Sequence, residues 1–202
     1  MKLWHIDSSV LGDNSASRQL SAAITARQKA LNPALEVEYL DLAANPVGHL
    51  SPAHIGAMFG HPPSDETTLA DIARGQSFID TLFASDILVI GTPMYNFGIP
   101  SQLKAWADRV LVAGKTFKYG PDGAPIGLVP AGKKVFIAST RGGFYAPGAP
   151  AAALEHQESH LKTMLGFIGL KDVTIINADG MAVPDAKAPS LEAAHAAIAT
   201  LA

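Results

Sequence analysis

Short runs of β-branched and bulky apolar residues alternate along this chain with stretches of helical periodicity, and that alternation restricts its fold more than any other property. The apolar runs are Leu3 to Ile6, Ile87 to Gly91, Val135 to Ser139 and Val173 to Ile176, which read as buried strands. Val37-Glu38-Tyr39-Leu40-Asp41 is a fifth, more polar run suited to a place nearer a sheet edge. Between them lie helical patterns at Ser17 to Leu31, stopped by Asn32-Pro33, and at Asp65 to Phe83, Ser101 to Val112, Ala151 to Gly166 and Ser190 to Leu201. Strands that alternate with helices pair in parallel, and each crossover travels over a sheet face in the right-handed sense. A three-layer α/β/α arrangement with helices on both faces follows.

Five strands fit the doubly wound order 2-1-3-4-5, the flavodoxin-like arrangement. Ligands in such sheets bind beyond the carboxyl ends of the strands, where the order switches between the first and third. The segments that reach that edge are 8–17, 92–99 and 140–148. Residues 115–134 do not fit simple alternation: Gly120, Pro121, Asp122, Gly123, Pro125, Gly127 and Pro130 sit between Thr116-Phe117-Lys118-Tyr119 and Ile126-Gly127-Leu128-Val129. They read as a hairpin excursion that leaves the sheet and has no role within one subunit.

Composition narrows the function. At 202 residues the chain has the size of one domain, taken as 1–202. Hydrophobic residues are 48% and charged residues 16%, so a large share is buried in a core or an interface. Fifteen Lys plus Arg against 18 Asp plus Glu, with no basic block, speak against a nucleic-acid binder or a polybasic membrane anchor. The N-terminal apolar run meets polar residues by Asp7, and no apolar stretch approaches the ~20 residues needed to cross a bilayer, so a cytoplasmic protein is expected. The absence of cysteine excludes thiolate metal sites and thiol catalysis, leaving redox chemistry to a bound cofactor.

The turn after the first strand, Asp7 to Arg18, holds Ser8, Ser9, Ser15 and Ser17. A helix start offers unpaired N–H groups and partial positive charge, so Ser9, Ser15 and Ser17 there suit a phosphate; a lone serine at Ser15 or Ser17 would equally serve as a helix cap. The turn lacks G-x-G-x-x-G, which argues against a dinucleotide pyrophosphate. Ala113-Gly114-Lys115-Thr116 imitates the end of a P-loop but follows a helix and lacks its first glycine, since Arg109 stands there.

After the third strand, Pro93-Met94-Tyr95-Asn96-Phe97 places apolar and aromatic bulk in a switch-point loop, where the rings either fill core or receive a flat guest. Asn96 supplies donor and acceptor groups for a heteroaromatic edge. After the fourth strand, Thr140-Arg141-Gly142-Gly143 either makes a simple turn or lets the backbone approach a ligand closely.

Taken together, S-x-S at Ser15 to Ser17, P-M-Y-N-F-G-I-P at Pro93 to Pro100 with Q-L-K at Gln102 to Lys104, A-G-K-T-F at Ala113 to Phe117, T-R-G-G at Thr140 to Gly143 and L-G-F-I-G at Leu165 to Gly169 resemble the FMN-dependent NADH:quinone oxidoreductases, also called bacterial azoreductases. The likeness runs the length of the chain. It implies a flavodoxin-like homodimer with one non-covalent FMN per subunit at the subunit interface, which reduces quinones and aromatic azo compounds with NADH or NADPH in a ping-pong cycle.

By this resemblance Ser9, Ser15, Ala16 and Ser17 hold the FMN phosphate, with Ala16 contributing backbone only. Pro93, Met94, Tyr95, Asn96 and Phe97 contact the isoalloxazine and ribityl chain, and Thr140, Arg141, Gly142 and Gly143 border the pyrimidine end. Tyr119, Phe144, Tyr145 and Phe167 wall the substrate pocket, Tyr119 and Phe167 from the other subunit. Better-known members often carry a histidine after R-G-G where this chain has Phe144-Tyr145-Ala146-Pro147. Hydride transfer belongs to the flavin, so no catalytic side chain and no metal is expected.

Two other readings are weighed. A serine esterase of the same fold would use Asp7-Ser8 with Glu192-x-x-His195. A flavodoxin-like electron carrier would be strongly acidic and monomeric, whereas this chain is nearly neutral and has Met58, Phe59 and Trp106 available for a subunit contact. His156 and His160 read as a surface pair at i, i+4 on one helix.

Overall fold

A computed structural model describes residues 1–61 and 63–202. Five parallel strands, β1 (Lys2–Asp7), β2 (Glu36–Asp41), β3 (Ile87–Pro93), β6 (Lys134–Thr140) and β7 (Val173–Ala178), form one sheet in the order β2-β1-β3-β6-β7. Counted within that sheet this is 2-1-3-4-5, with the polar β2 at an edge. The remaining strands, β4 (Phe117–Tyr119) and β5 (Pro125–Gly127), pair antiparallel as a separate hairpin.

Side chains alternate between two apolar layers, as a pleated strand requires. Trp4, Ile6, Leu88, Ile90, Val135 and Ile137 face helices α3 (Glu66–Ala84), α4 (Ser101–Val110) and α5 (Glu158–Phe167). Leu3, Ile87, Val89, Phe136 and Ala138 face α1 (Ala16–Leu31) and α6 (Lys187–Ala199). Trp106, a candidate for a subunit contact, lies in the first layer instead: it is 1% exposed and meets Trp4 edge-on at 5.7 Å.

Three local readings need correction. The helical pattern Ala151 to Gly166 forms a short 3-10 turn (Ala152–Leu154), and α5 begins only at Glu158. The carboxylate of Glu155 accepts from the N–H groups of Gln157, Glu158 and Ser159, so it caps α5 and interrupts the pattern. His156 and His160 therefore do not share a helix. The break lets Gln157 turn inward, where its amide donates to the Thr92 carbonyl at 2.9 Å and accepts from the Ser139 hydroxyl, tying β3 to β6 beneath their carboxyl ends.

The second correction is the short helix α2 (Pro52–Met58), which no periodicity announced. The third concerns the hairpin, whose base is sutured into its own subunit. Thr116 is fully buried and donates to the Val110 carbonyl, ending α4, which also explains the false P-loop. Val129 N–H donates to the Ile168 carbonyl, and a Cβ at Gly127 would lie 2.3 Å from the Gly169 nitrogen. Only glycine fits where β5 crosses the end of α5, and Gly169 itself has φ +106°.

Candidate active site

Three loops meet at the carboxyl edge of β1, β3 and β6, as the switch-point argument requires. They line a cleft of about 180 Å³ with Ser9, Leu11, Asn14, Ser15, Ala16, Pro93, Met94, Thr140, Arg141 and Gly142, joined by Met181 and Lys187. Tyr119 and Phe167 do not line it; they gather around Phe117, whose ring centroid is 4.5 Å from that of Phe167 and 5.7 Å from that of Tyr119.

The first loop ends at α1, for which Ser15 is the N-cap, its hydroxyl accepting from Arg18 N–H at 3.4 Å. The Ser15 and Ser17 hydroxyls are 3.0 Å apart, and Ser9, Ser15 and Ser17 are all buried. Capping and anion binding are thus compatible here: Ser15 caps, while the first-turn N–H groups of Ala16 and Ser17 have no acceptor among the described residues, as a helix start dictates. Arg18, next in the helix, does not add a free cation. Its guanidinium forks onto Asp41 at 2.6 and 2.7 Å and onto the Ser9 carbonyl at 2.8 Å, so it braces the turn from behind. This ion pair raises the Arg18 pKa and holds Asp41 below the usual carboxylate range. Tyr39, partly desolvated and beside the buried Asp7, is pushed up to about 12.

The second loop is a tight hairpin. Tyr95 and Gly98 exchange both backbone hydrogen bonds across Asn96 and Phe97, which have φ of 47° and 70°. Positive φ at both central positions is the type I′ pattern, and a bulky residue such as Phe97 reaches it only where surrounding contacts hold it. Those contacts are visible: His156 N–H donates to the Phe97 carbonyl, and the Tyr95 hydroxyl bonds Ser9 and Val10, linking this loop to the serine turn. The hairpin leaves the Asn96 side chain exposed and the Phe97 ring 6.5 Å from Tyr145, edge-on. Met94 N–H is already committed to the Thr140 carbonyl.

The third loop is built with a definite polarity. The carbonyls of Arg141, Gly142 and Gly143 accept from the N–H groups of Met181, Ala182 and Gly180, whereas the N–H groups of Gly142 and Gly143 donate to nothing among the described residues. Every carbonyl is turned away and two adjacent N–H groups are left free, an anion-stabilising arrangement. The Arg141 side chain is 2% exposed and bound to Asp179 at 2.6 Å, so its guanidinium supports from inside a loop that lines the cleft.

Residues 179–182 and Lys187 escaped the sequence reading. Both follow the last strand, β7, so the rule that pointed to the ends of β1, β3 and β6 would have reached them had it been applied to the fourth loop at that edge. The esterase constellation does not assemble: Ser8 is fully buried with its hydroxyl donated to the Gly91 carbonyl, and His195 is exposed on α6.

Residues 1–202 match the family described as flavodoxin-like fold. An FMN-dependent NADH:quinone oxidoreductase of Xanthomonas campestris pv. campestris is 50% identical over 203 residues, covering 100% of this chain and 99% of that protein. One of the same name from Ralstonia nicotianae is 52% identical, covering 98% of this chain and 95% of its own. Among solved structures, an azoreductase from Bacillus anthracis str. Sterne superposes with a TM-score of 0.85 at 26% identity over 100% of both chains. An FMN-dependent NADH-azoreductase in complex with FMN, from the Ames Ancestor strain of the same species, shares the fold with a TM-score of 0.88 at 24% identity, over 98% of this chain and 96% of that one. The chain belongs to the FMN-dependent NADH:quinone oxidoreductases, within the flavodoxin-like fold family.

Proposed function

We propose that the cleft binds FMN and that the protein reduces quinones and aromatic azo compounds with NADH or NADPH. One observation carries this reading: among the described residues the N–H groups of Ala16 and Ser17 and of Gly142 and Gly143 meet no acceptor, and Ala16 and Gly142 both line the cleft, with Pro93 and Met94 of the second loop. A phosphate at one pair and an electron-rich ring edge at the other satisfy both. The donor chemistry fits FMN, because the serine turn matches a terminal phosphate and lacks the glycine pattern of a dinucleotide site.

FMN supplies the hydride-accepting and hydride-donating ring. The residues do the rest. Ser9, Ser15, Ser17 and the α1 start bind the phosphate, with Lys187 adding positive charge at the cleft mouth. Asn96 orients the ring through hydrogen bonds, and Gly142 and Gly143 N–H stabilise negative charge that develops on it. A flavin with one ring face covered by these loops would offer only the other to nucleotide and acceptor in turn, and ping-pong kinetics would follow.

The site is read as completed by a second copy. A cleft of about 180 Å³ is small beside the ~300–1,000 Å³ of enclosed ligand pockets. Tyr119 is 63% exposed, Phe59 77% and Met58 48%, and Phe59 and Met58 line a separate apolar cavity of about 460 Å³ between α2 and α3. Burying these in a homodimer removes exposed aromatic surface and brings the Tyr119 and Phe167 cluster of one chain toward the cleft of the other. Among the described residues no helix is long and apolar enough to cross a membrane. The nicotinamide nucleotide that the reaction consumes makes the cytoplasm the place of action.

The test is direct. Heat-released cofactor should chromatograph as FMN, equimolar with the chain, and light scattering should give a dimer; FAD, or no flavin after reconstitution, overturns the reading.

A further inference from the structure

We propose that Asp179, on the loop after β7, is a positioning residue that fixes both the flavin-edge N–H pair and the aromatic acceptor wall; this rests on the FMN reading above. One carboxylate serves two loops. Its Oδ1 accepts from Arg141 Nε at 2.6 Å, and its Oδ2 accepts from the backbone N–H of Tyr145 at 3.3 Å. Arg141 is 2% exposed; Glu158 is 3.5 Å away without hydrogen-bond alignment, which leaves Glu158 Oε1 unpaired, and Glu155 acts on Arg141 only through charge, so among the described residues Asp179 is the acid that hydrogen-bonds the guanidinium. Asp179 is therefore the partner that keeps this buried guanidinium in place.

The residues that follow Asp179 complete a template. Gly180, Met181 and Ala182 N–H hold the carbonyls of Gly143, Arg141 and Gly142, which fixes the peptide planes whose Gly142 and Gly143 N–H groups meet no acceptor among the described residues, with Gly142 in the cleft wall. Gly180, at φ +70°, also seats Phe144: a Cβ there would lie 2.8 Å from the ring. The Tyr145 ring lies over Gly143, 3.3 Å from where a Cβ would stand. The side chains that touch acceptor and the N–H groups that touch the flavin edge thus share one support, and Asp179 is the charged point at which it is anchored.

Asp179→Asn tests this, because asparagine can keep one acceptor but must then turn its NH2 toward the other donor. If its oxygen stays on Arg141, the Tyr145 N–H faces a donor and the aromatic loop is released. Three readouts are expected to move. The Tyr145 amide exchanges hydrogen about tenfold faster or more, with or without flavin. The affinity ratio of reduced to oxidised FMN falls about tenfold, seen as a two-electron midpoint about 30 mV more negative. The kcat/KM ratio between a naphthoquinone and a benzoquinone changes by about threefold or more.

Gly180→Ala is the second variant and covers failure of the first to fold. It keeps both charges and displaces the Phe144 ring, so the acceptor ratio shifts by about threefold or more. Wild-type midpoint, exchange and acceptor ratio in Asp179→Asn would overturn the proposal, as would an unchanged acceptor ratio in Gly180→Ala. If the wild-type chain binds no FMN, the functional reading fails separately, and amide exchange at Tyr145 still decides the structural claim.

Discussion

Ser17→Ala isolates the phosphate end of the site. The Ser17 hydroxyl is fully buried at the start of α1 and its one partner among the described residues is the Ser15 hydroxyl, 3.0 Å away, whereas Ser15 also caps the helix. Removing Ser15 would therefore cost about 1 kcal/mol of helix stability in addition to any ligand contact. Removing Ser17 spares the cap. A hydrogen bond to a charged group contributes about 1.5–3 kcal/mol, so the FMN dissociation constant should rise roughly 10- to 150-fold at 1.4 kcal/mol per decade. The assay is titration of the FMN-free protein by flavin fluorescence, with riboflavin as the matched ligand that lacks the phosphate. Ser17→Ala should weaken FMN and leave riboflavin unchanged. An equal loss for both ligands, or none for FMN, would refute the placement of the phosphate.

Three further outcomes are expected. Tyr145→Ala removes the ring that faces Phe97 edge-on and should change kcat/KM ratios among quinones and azo dyes by roughly 2- to 12-fold, from about 0.5–1.5 kcal/mol of aromatic contact, with FMN retained. Gly127→Ala drives a methyl into backbone atoms of Ile168 and Gly169; overpacking of this kind costs about 1–3 kcal/mol, so the Tm should fall by roughly 2–12 °C in a calorimetric scan. Asp41 is held low by Arg18, and Asp71 is held low because hydrogen bonds from Arg109 and His54 outweigh the burial that would raise it. Groups with lowered folded pKa stabilise the protein above their ordinary value of 3.8, and that stability is lost as pH falls through the folded value. Urea midpoints should therefore drop on acidification below about pH 4, less steeply in Asp41→Asn.

The sheet was legible because its signal is local: four of the five strands carry runs of bulky apolar residues, the polar β2 fits an edge, and every helix but α2 lies in a stretch free of strand signals and long enough to be read. The exception, α2, is seven residues long, too short for a periodic pattern, and is held by tertiary contacts of His54 with Asp71 and Arg109. Hydroxyls, glycines and aromatics marked the three cleft loops for the same local reason. What escaped was the set of long-range partners. Asp179 is an unremarkable acid in sequence and acquires its role only when β6 and β7 lie side by side and bring it to Arg141. Glu155 likewise breaks a plausible helix because three N–H groups need an acceptor there. Arg141 lines the cleft, as its place in T-R-G-G suggests, while its guanidinium is bound to Asp179, a partner that local sequence does not reveal.

The property that decides the function is a flavin in the cleft that cycles between nucleotide and quinone. The purified protein, titrated anaerobically with NADH, should bleach its flavin absorbance with one equivalent per chain, and a quinone added after the nucleotide is exhausted should restore the oxidised spectrum completely. A protein that binds FMN but is not bleached by NADH or NADPH, or whose reduced form is not reoxidised by quinone, would contradict it.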